Sequence, residues 1–281
     1  MLMRIIPADE RLKNRRGVKF LILGPAGIGK TTLMRTIADP LRILYGDGEG
    51  GDLAIQDLPV TSVRIEDWPT ARDLACRIGG PNPSYGSNAC YSEAHFNAVG
   101  GWLEKLEHYE VICFDSVTAI SRLSYRWAEQ QPETFTRTGA KDTRAAYGVH
   151  AREMLQLLHQ LQRARDKHIV FIGILEKLTD EFNRHLGYQL QAEGQRVPRE
   201  IGAIVDELII MEWLSFGDGK PPARGFVCTS PNPWSYPAKD RSGRLEQIEP
   251  PHLGKLIAKI TAPPVIVSPA KADSTAADAA E

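Results

Sequence analysis

Residues 24–31 read Gly24-Pro25-Ala26-Gly27-Ile28-Gly29-Lys30-Thr31. They satisfy the spacing G-x-x-x-x-G-K-[ST], a loop whose backbone must curl tightly around phosphate. Glycines let successive N–H groups point inward at phosphate oxygens. The run before the loop, Val18-Lys19-Phe20-Leu21-Ile22-Leu23, predicts a buried strand, and residues 30–38 predict a helix whose N-terminal dipole adds to the cradle. Within this loop Lys30 is expected to reach the β- and γ-phosphates and the Thr31 hydroxyl to ligate Mg²⁺, with Thr32 continuing the cradle. A chain opening this way is committed to an α/β fold that binds a nucleoside triphosphate. ATP is the expected nucleotide, because no Asn-Lys-x-Asp guanine motif occurs.

The remaining pattern extends that fold. Apolar runs at residues 41–45, 60–65, 111–115, 168–174, 204–211 and 225–229 predict further strands. Helices are expected at residues 70–78, 93–107 and 143–165, the last from Met154, Leu157, Leu158 and Leu161 at i, i+3, i+4, i+7. Strands alternating with helices imply a mostly parallel sheet covered on both faces. The expected organisation is an N-terminal segment at 1–16, one ATPase domain at 17–262, and a disordered tail at 263–281, where large apolar residues become scarce.

The 281 residues carry a formal net charge of −1, so any nucleic-acid site must be a local patch. No apolar run approaches the roughly 20 residues that span a bilayer, and a cytoplasmic protein without membrane attachment is expected. Cys76, Cys90, Cys113 and Cys228 form no C-x-x-C pair. They read as reduced thiols rather than zinc ligands.

Two further acids suit phosphate chemistry. The run Val111-Ile112-Cys113-Phe114 ends in Asp115-Ser116, a carboxylate at the tip of a buried strand, where it can hold Mg²⁺ through water. The glycine-rich turn Gly46-Asp47-Gly48-Glu49-Gly50-Gly51 presents Glu49 and Asp47, either of which could orient an attacking water.

The order of these pieces resembles the RecA superfamily: a P-loop, then a strand ending in Asp-x-Glu, then a strand ending in Asp-Ser. Here these are Gly24 to Thr31, Asp47-Gly48-Glu49 and Asp115-Ser116. The resemblance makes Glu49 the catalytic glutamate, alongside Lys30. More narrowly the chain is similar to phage RecA-like ATPases, the phage nucleotide-binding proteins, some of which are single-strand annealing recombinases of the Sak group. That likeness rests also on Tyr147-Gly148 and on Ala238-Lys239-Asp240-Arg241-Ser242-Gly243. The second of these resembles the Lys-Asn-Arg-Phe-Gly motif of RadA-type proteins and implies that Lys239 and Arg241 reach the γ-phosphate of a neighbouring subunit. One departure is plain: Leu175 stands where such proteins place a polar γ-phosphate sensor, and it cannot hydrogen-bond a phosphate.

The resemblance also implies single-stranded DNA as partner, a homo-oligomeric ring or filament, and a single-strand-binding protein as a further contact. Residues 134–142 fall where RecA-like proteins place a first DNA loop. There Arg137, Lys141 and Arg144 are the candidate phosphate contacts, interleaved with Tyr125, Trp127, Phe135 and Tyr147. Residues 178–198 are expected to form a second long loop. The rival readings are a P-loop kinase of a nucleoside or small metabolite, and a RecA-core helicase-like motor.

Overall fold

The computed structural model describes residues 5–8, 10, 16–101, 106–215, 217, 219 and 221–263. Most of the expected N-terminal segment, and all of the expected tail after residue 263, lie outside these residues. Strand β1 (Lys19–Gly24) is buried along its whole length, and Phe20, Leu21 and Ile22 are each 0% exposed. Full burial of such side chains stabilises the fold by about 1.5–3 kcal/mol apiece. A strand buried on both faces needs no polar alternation, which is why 18–23 reads as a continuous apolar run.

Strands β2 (Ile43–Asp47), β3 (Thr61–Arg64), β4 (Val111–Asp115), β5 (His168–Thr179) and β7 (Glu207–Leu214) join β1 in a parallel array ordered β7-β1-β5-β4-β2-β3. Antiparallel additions are β6 (His185–Leu190) on β5, and β8 (Ala223–Val227) and β9 (Lys239–Asp240) on β7. Strand β10 (Ile248–Glu249) closes the edge on β8. One face of the sheet carries α1 (Trp68–Gly79), α3 (Val117–Ala128), α4 (Thr143–Gln162) and α5 (Arg196–Ile204). The short helix α2 (Glu93–Ala98) lies beside α1. The other face is covered by α6 (Leu253–Thr261) and the segment after the P-loop. The result is an α/β core, mostly parallel with helices on both faces. Among the described residues no helix is long and apolar enough to cross a membrane.

Register sets the site. Asp47 pairs with Asp115 across β2–β4, Asp115 with Ile172 across β4–β5, and Gly24 with Ile174 across β1–β5. The P-loop and both acidic strand ends therefore share the C-terminal edge of the sheet.

Several expected elements differ. The helix at 30–38 is a 3-10 helix, Thr31–Thr36, and Ile37 is already extended. Pro40 disfavours a helical Asp39, which instead caps the next turn through the Leu41 N–H. The helix at 93–107 stops at Ala98, because Gly100 and Gly101 take positive φ of 103° and 51°; residues 102–105 are outside the described set. The strand at 204–211 begins at Glu207 instead, since α5 runs through Ile204. The long loop at 178–198 is largely the β5–β6 hairpin and the start of α5.

At the opposite edge of the sheet Glu207 is 1% exposed and lies in register with Asp240. Burial first, and then the Asp240 charge, push the Glu207 carboxyl up to about 8. The folded chain thus keeps a proton that the unfolded chain releases near its ordinary 4.5. The stability from this group is complete below that lower value and is lost as pH rises through about 8. His150 and His168, held neutral by burial down to about 4, act below pH 6.5, and Lys19, lowered to about 8, acts above it. Of these four groups, Glu207 is the one that acts between pH 6.5 and 8. Glu207→Gln should flatten the fall in Tm across that window; an unchanged slope would show that the Glu207–Asp240 pair does not govern it.

Candidate nucleotide site

The P-loop leaves β1 at Gly24, where a Cβ would stand 2.5 Å from the Met211 carbonyl oxygen of β7. Only glycine permits that approach, and it fixes the loop against the neighbouring strand. Lys30 is buried, and its Nζ donates to the carbonyls of Gly24 (2.9 Å) and Pro25 (2.8 Å). Burial lowers its pKa, while the charges of Asp115 and Glu49 oppose that shift. Because the segment after the loop is a six-residue 3-10 helix, the cradle rests on the loop's own N–H groups more than on a helix dipole.

Thr31 Oγ1 donates to Asp115 Oδ2 at 2.5 Å, and Tyr45 OH donates to the same oxygen at 3.0 Å. Asp115 is 5% exposed; desolvation raises its pKa and the two hydroxyl donors oppose the rise. A hydroxyl and a carboxylate held together at a P-loop form a hard oxygen donor set, which fits Mg²⁺ with part of its water shell retained.

The two acids of the glycine turn take different places. Asp47 is buried, and its Oδ1 accepts the N–H groups of Glu49 (3.2 Å), Gly50 (2.7 Å) and Gly51 (3.3 Å). That carboxylate builds the turn. Glu49 is exposed, its Oε1 accepts the Ser116 hydroxyl, and its charge acts on both Lys30 and Asp115. Ser116 Oγ also accepts the Ala119 N–H at the start of α3, which orients its proton toward Glu49. The fold thus brings Lys30, Thr31, Asp115, Ser116 and Glu49 together. Leu175 extends β5 opposite Leu190 of β6 and packs against the core.

Lys239 and Arg241 lie elsewhere. Strand β9 pairs with the beginning of β7, at the edge of the sheet away from the P-loop. Lys239 Nζ donates to the Gly202 (2.6 Å) and Val205 (2.7 Å) carbonyls at the end of α5. Arg241 binds Asp206 (2.8 Å) and the Ala203 carbonyl (3.0 Å). Within this chain both cations are held by the end of α5, by helix-end carbonyls and by Asp206, away from the chain's own P-loop.

The basic segment is compact rather than irregular. Phe135 bridges Lys141, Thr136 N–H donates to Ala140 O at 2.7 Å, and Asp142 caps α4 through the Arg144 and Ala145 N–H groups. Arg137, Lys141 and Arg144 are exposed, and none is ion-paired among the described residues. Phe135 (40%) and Tyr147 (38%) are the exposed rings beside them. Tyr147 stacks on Tyr125 at 4.5 Å, whereas Trp127 packs inward on Trp68 at 6.5 Å.

Sequence reasoning missed two features. The apolar run at 41–45 gives no sign that the Tyr45 hydroxyl holds Asp115. Arg224, 196 residues beyond Ile28, donates from Nη1 to the Ile28 carbonyl at 3.1 Å, and no local pattern signals that contact.

A glycine loop on the first strand, a Thr–Asp pair and a nearby exposed glutamate define a P-loop core of the nucleotide-dependent ATPase type. Residues 16–242 match the AAA domain family, and the chain belongs to it. No curated protein matches it in sequence. Among solved structures it is similar to the RadB recombinase, with 17% identity, a TM-score of 0.40, and coverage of 76% of this chain and 80% of that one. A KaiC-like protein from the hyperthermophilic archaeon Pyrococcus horikoshii OT3 gives 11%, 0.38, 79% and 84%. An ATPase of a bacterial type III secretion system gives 16%, 0.38, 70% and 52%.

The carbonyl contacts of Lys239 carry a stability test. Lys239→Ala leaves two helix-end carbonyls without a charged donor, a loss of about 1–3 kcal/mol. It should lower Tm while leaving nucleotide binding per folded molecule unchanged. Unaltered melting with impaired nucleotide binding would return this residue to the nucleotide site.

Proposed function

We propose that this chain is a Mg²⁺-dependent ATPase of the RecA type that acts on single-stranded DNA as an assembly of its own copies. It follows the phage recombinase pattern and works in the cytoplasm, the host's if it is phage-encoded. The observation that carries the ATPase reading is the 2.5 Å contact between the Thr31 hydroxyl and the Asp115 carboxylate, with Lys30 and Glu49 on either side. Lys30 and the loop from Gly24 to Thr32, with its N–H groups, bind the triphosphate. Thr31 and Asp115 would hold Mg²⁺. The ion would supply charge neutralisation to the triphosphate. Glu49 accepts a proton from, and orients, the attacking water, and the Ser116 hydroxyl fixes the carboxylate that does so.

The DNA reading is supported by Arg137 and Lys141 on the turn that precedes α4 and Arg144 in its first turn, all exposed and without an ion pair among the described residues. Helix α4 descends to the start of β5, so its first turn lies toward the P-loop edge. Cations of this kind track phosphates, while Tyr147 and Phe135 offer faces to bases. The assembly reading rests on the RecA-type likeness. Leu175 gives hydrolysis no polar sensor at that position of β5, so any coupling of turnover to DNA has to run through other groups.

Phosphate release measured with and without single-stranded DNA tests the whole reading. Lys30→Ala should abolish turnover with the fold intact, and Glu49→Gln should retain ATP binding and lose turnover by about a hundredfold or more. If Asp47→Asn produces that loss and Glu49→Gln does not, the wrong acid carries the chemistry.

The DNA surface has a separate readout. Replacing Arg137, Lys141 and Arg144 together by Ala should weaken single-stranded DNA binding. The slope of log K against log salt should fall by up to about 2, at roughly 0.7 per phosphate contact. A slope equal to that of the unaltered protein would mean these side chains only face water.

A further inference from the structure

Strand β7 does not end where the parallel array ends. Its register with β1 runs from Phe20↔Glu207 to Leu23↔Ile210, so Met211 lies level with Gly24 and the strand continues past the P-loop to Leu214. Strand β8 returns antiparallel, with Trp213 directly opposite Arg224. Alternation places Trp213 on the face of Ile209 and Met211, which pack with Ile28, Leu33 and Met34 of the P-loop and its following turn. The β7–β8 hairpin is thus a wall rising beside the phosphate loop, on the same side as the loop.

Two side chains on that wall have no structural duty that explains them. Trp213 is 56% exposed, an uncommon place for an indole that could be buried. Arg224 is exposed and makes one hydrogen bond among the described residues, Nη1 to the Ile28 carbonyl at 3.1 Å. Its guanidinium also lies over Gly29: a Cβ there would meet Nη1 at 2.5 Å, and Gly29 has φ of 100°. The same group stands 5.9 Å from the Trp213 ring centroid. A guanidinium offers five N–H donors, so most of this one's capacity is directed at space beside the P-loop, next to an open aromatic face. Among the described residues no carboxylate pairs with it.

We propose that Trp213 and Arg224 form the outer wall of the nucleotide site, Trp213 stacking on the nucleobase of a nucleoside triphosphate and Arg224 donating to its phosphates from within the same chain. The inference rests on the P-loop reading given above and deepens it. Phosphates seated over Gly29 lie within reach of a guanidinium that already donates to the Ile28 carbonyl beside it, and planar donors suit phosphate oxygens. A base leaving the phosphates on the hairpin side meets the Trp213 face, where stacking is sequence-tolerant and favourable. The hairpin then measures the ligand from both ends, the charge by Arg224 and the ring by Trp213.

The test is equilibrium titration of the full chain with Mg²⁺-ATP and with Mg²⁺-tripolyphosphate, which has the charge and no base. Trp213→Ala should weaken ATP binding by roughly tenfold or more and leave tripolyphosphate unchanged, while Trp213→Phe, which keeps a stacking face, should bind ATP nearly as the unaltered protein does. Arg224→Ala should weaken both ligands, and Arg224→Lys should restore part of each. Tryptophan emission should be quenched by ATP in the unaltered protein and in Arg224→Lys but not in Trp213→Phe. Because Trp213 is largely exposed, its variants should melt as the unaltered protein does. ATP binding undiminished in Trp213→Ala, or tripolyphosphate binding undiminished in Arg224→Ala, overturns the respective half of the proposal. Both results retain their meaning only while Lys30→Ala abolishes binding of both ligands; if it does not, the P-loop reading itself has failed.

Discussion

The contact between the Thr31 hydroxyl and the Asp115 carboxylate is the joint on which the site depends. Thr31 follows β1, Asp115 ends β4, and β5 lies between those strands. The two side chains therefore meet only because the C-terminal ends of three parallel strands are held level. That level is set by apolar side chains buried from both faces: Phe20 and Ile22 on one, Leu21 and Leu23 on the other. Tyr45 adds β2 to the same carboxylate oxygen. A buried acid accepting two hydroxyls in an apolar sheet is tolerable only because both donors are fixed, and their bonds oppose the desolvation that would otherwise favour its neutral form.

Around that joint the chain divides labour between similar residues by burial. Asp47 and Glu49 are two residues apart in one turn. The shorter side chain folds back on three N–H groups and becomes part of the backbone's hydrogen bonding. The longer one escapes the turn and reaches Ser116. A comparable division holds among the cations. Lys239 and Arg241 end on helix carbonyls, Lys30 lies in the phosphate loop, and Arg224 rests on the outside of that loop with its donors open.

Features written in short stretches of chain were legible before the fold was known. The P-loop, strand β4 with Asp115 at its tip, and α4 with its row of Met154, Leu157, Leu158 and Leu161 all depend on neighbours within a few residues. Where the reading missed, a distant contact or a backbone conformation decided. Residues 31–36 form a 3-10 helix that ends at an extended Ile37, and residues 93–98 stop at a glycine pair with positive φ. The motif around Lys239 and Arg241 says what the residues are but not that α5 ends beneath them. The Arg224–Ile28 contact spans 196 positions, and nothing in either segment alone announces it.

The dependence of ATP turnover on divalent metal tests the central joint most directly. Steady-state phosphate release should be readily measured with Mg²⁺ and should fall to background when EDTA removes it, because Thr31 and Asp115 are then left without the ion they are placed to hold. Release that continues unchanged in EDTA, or that is absent with Mg²⁺ present, would contradict the account.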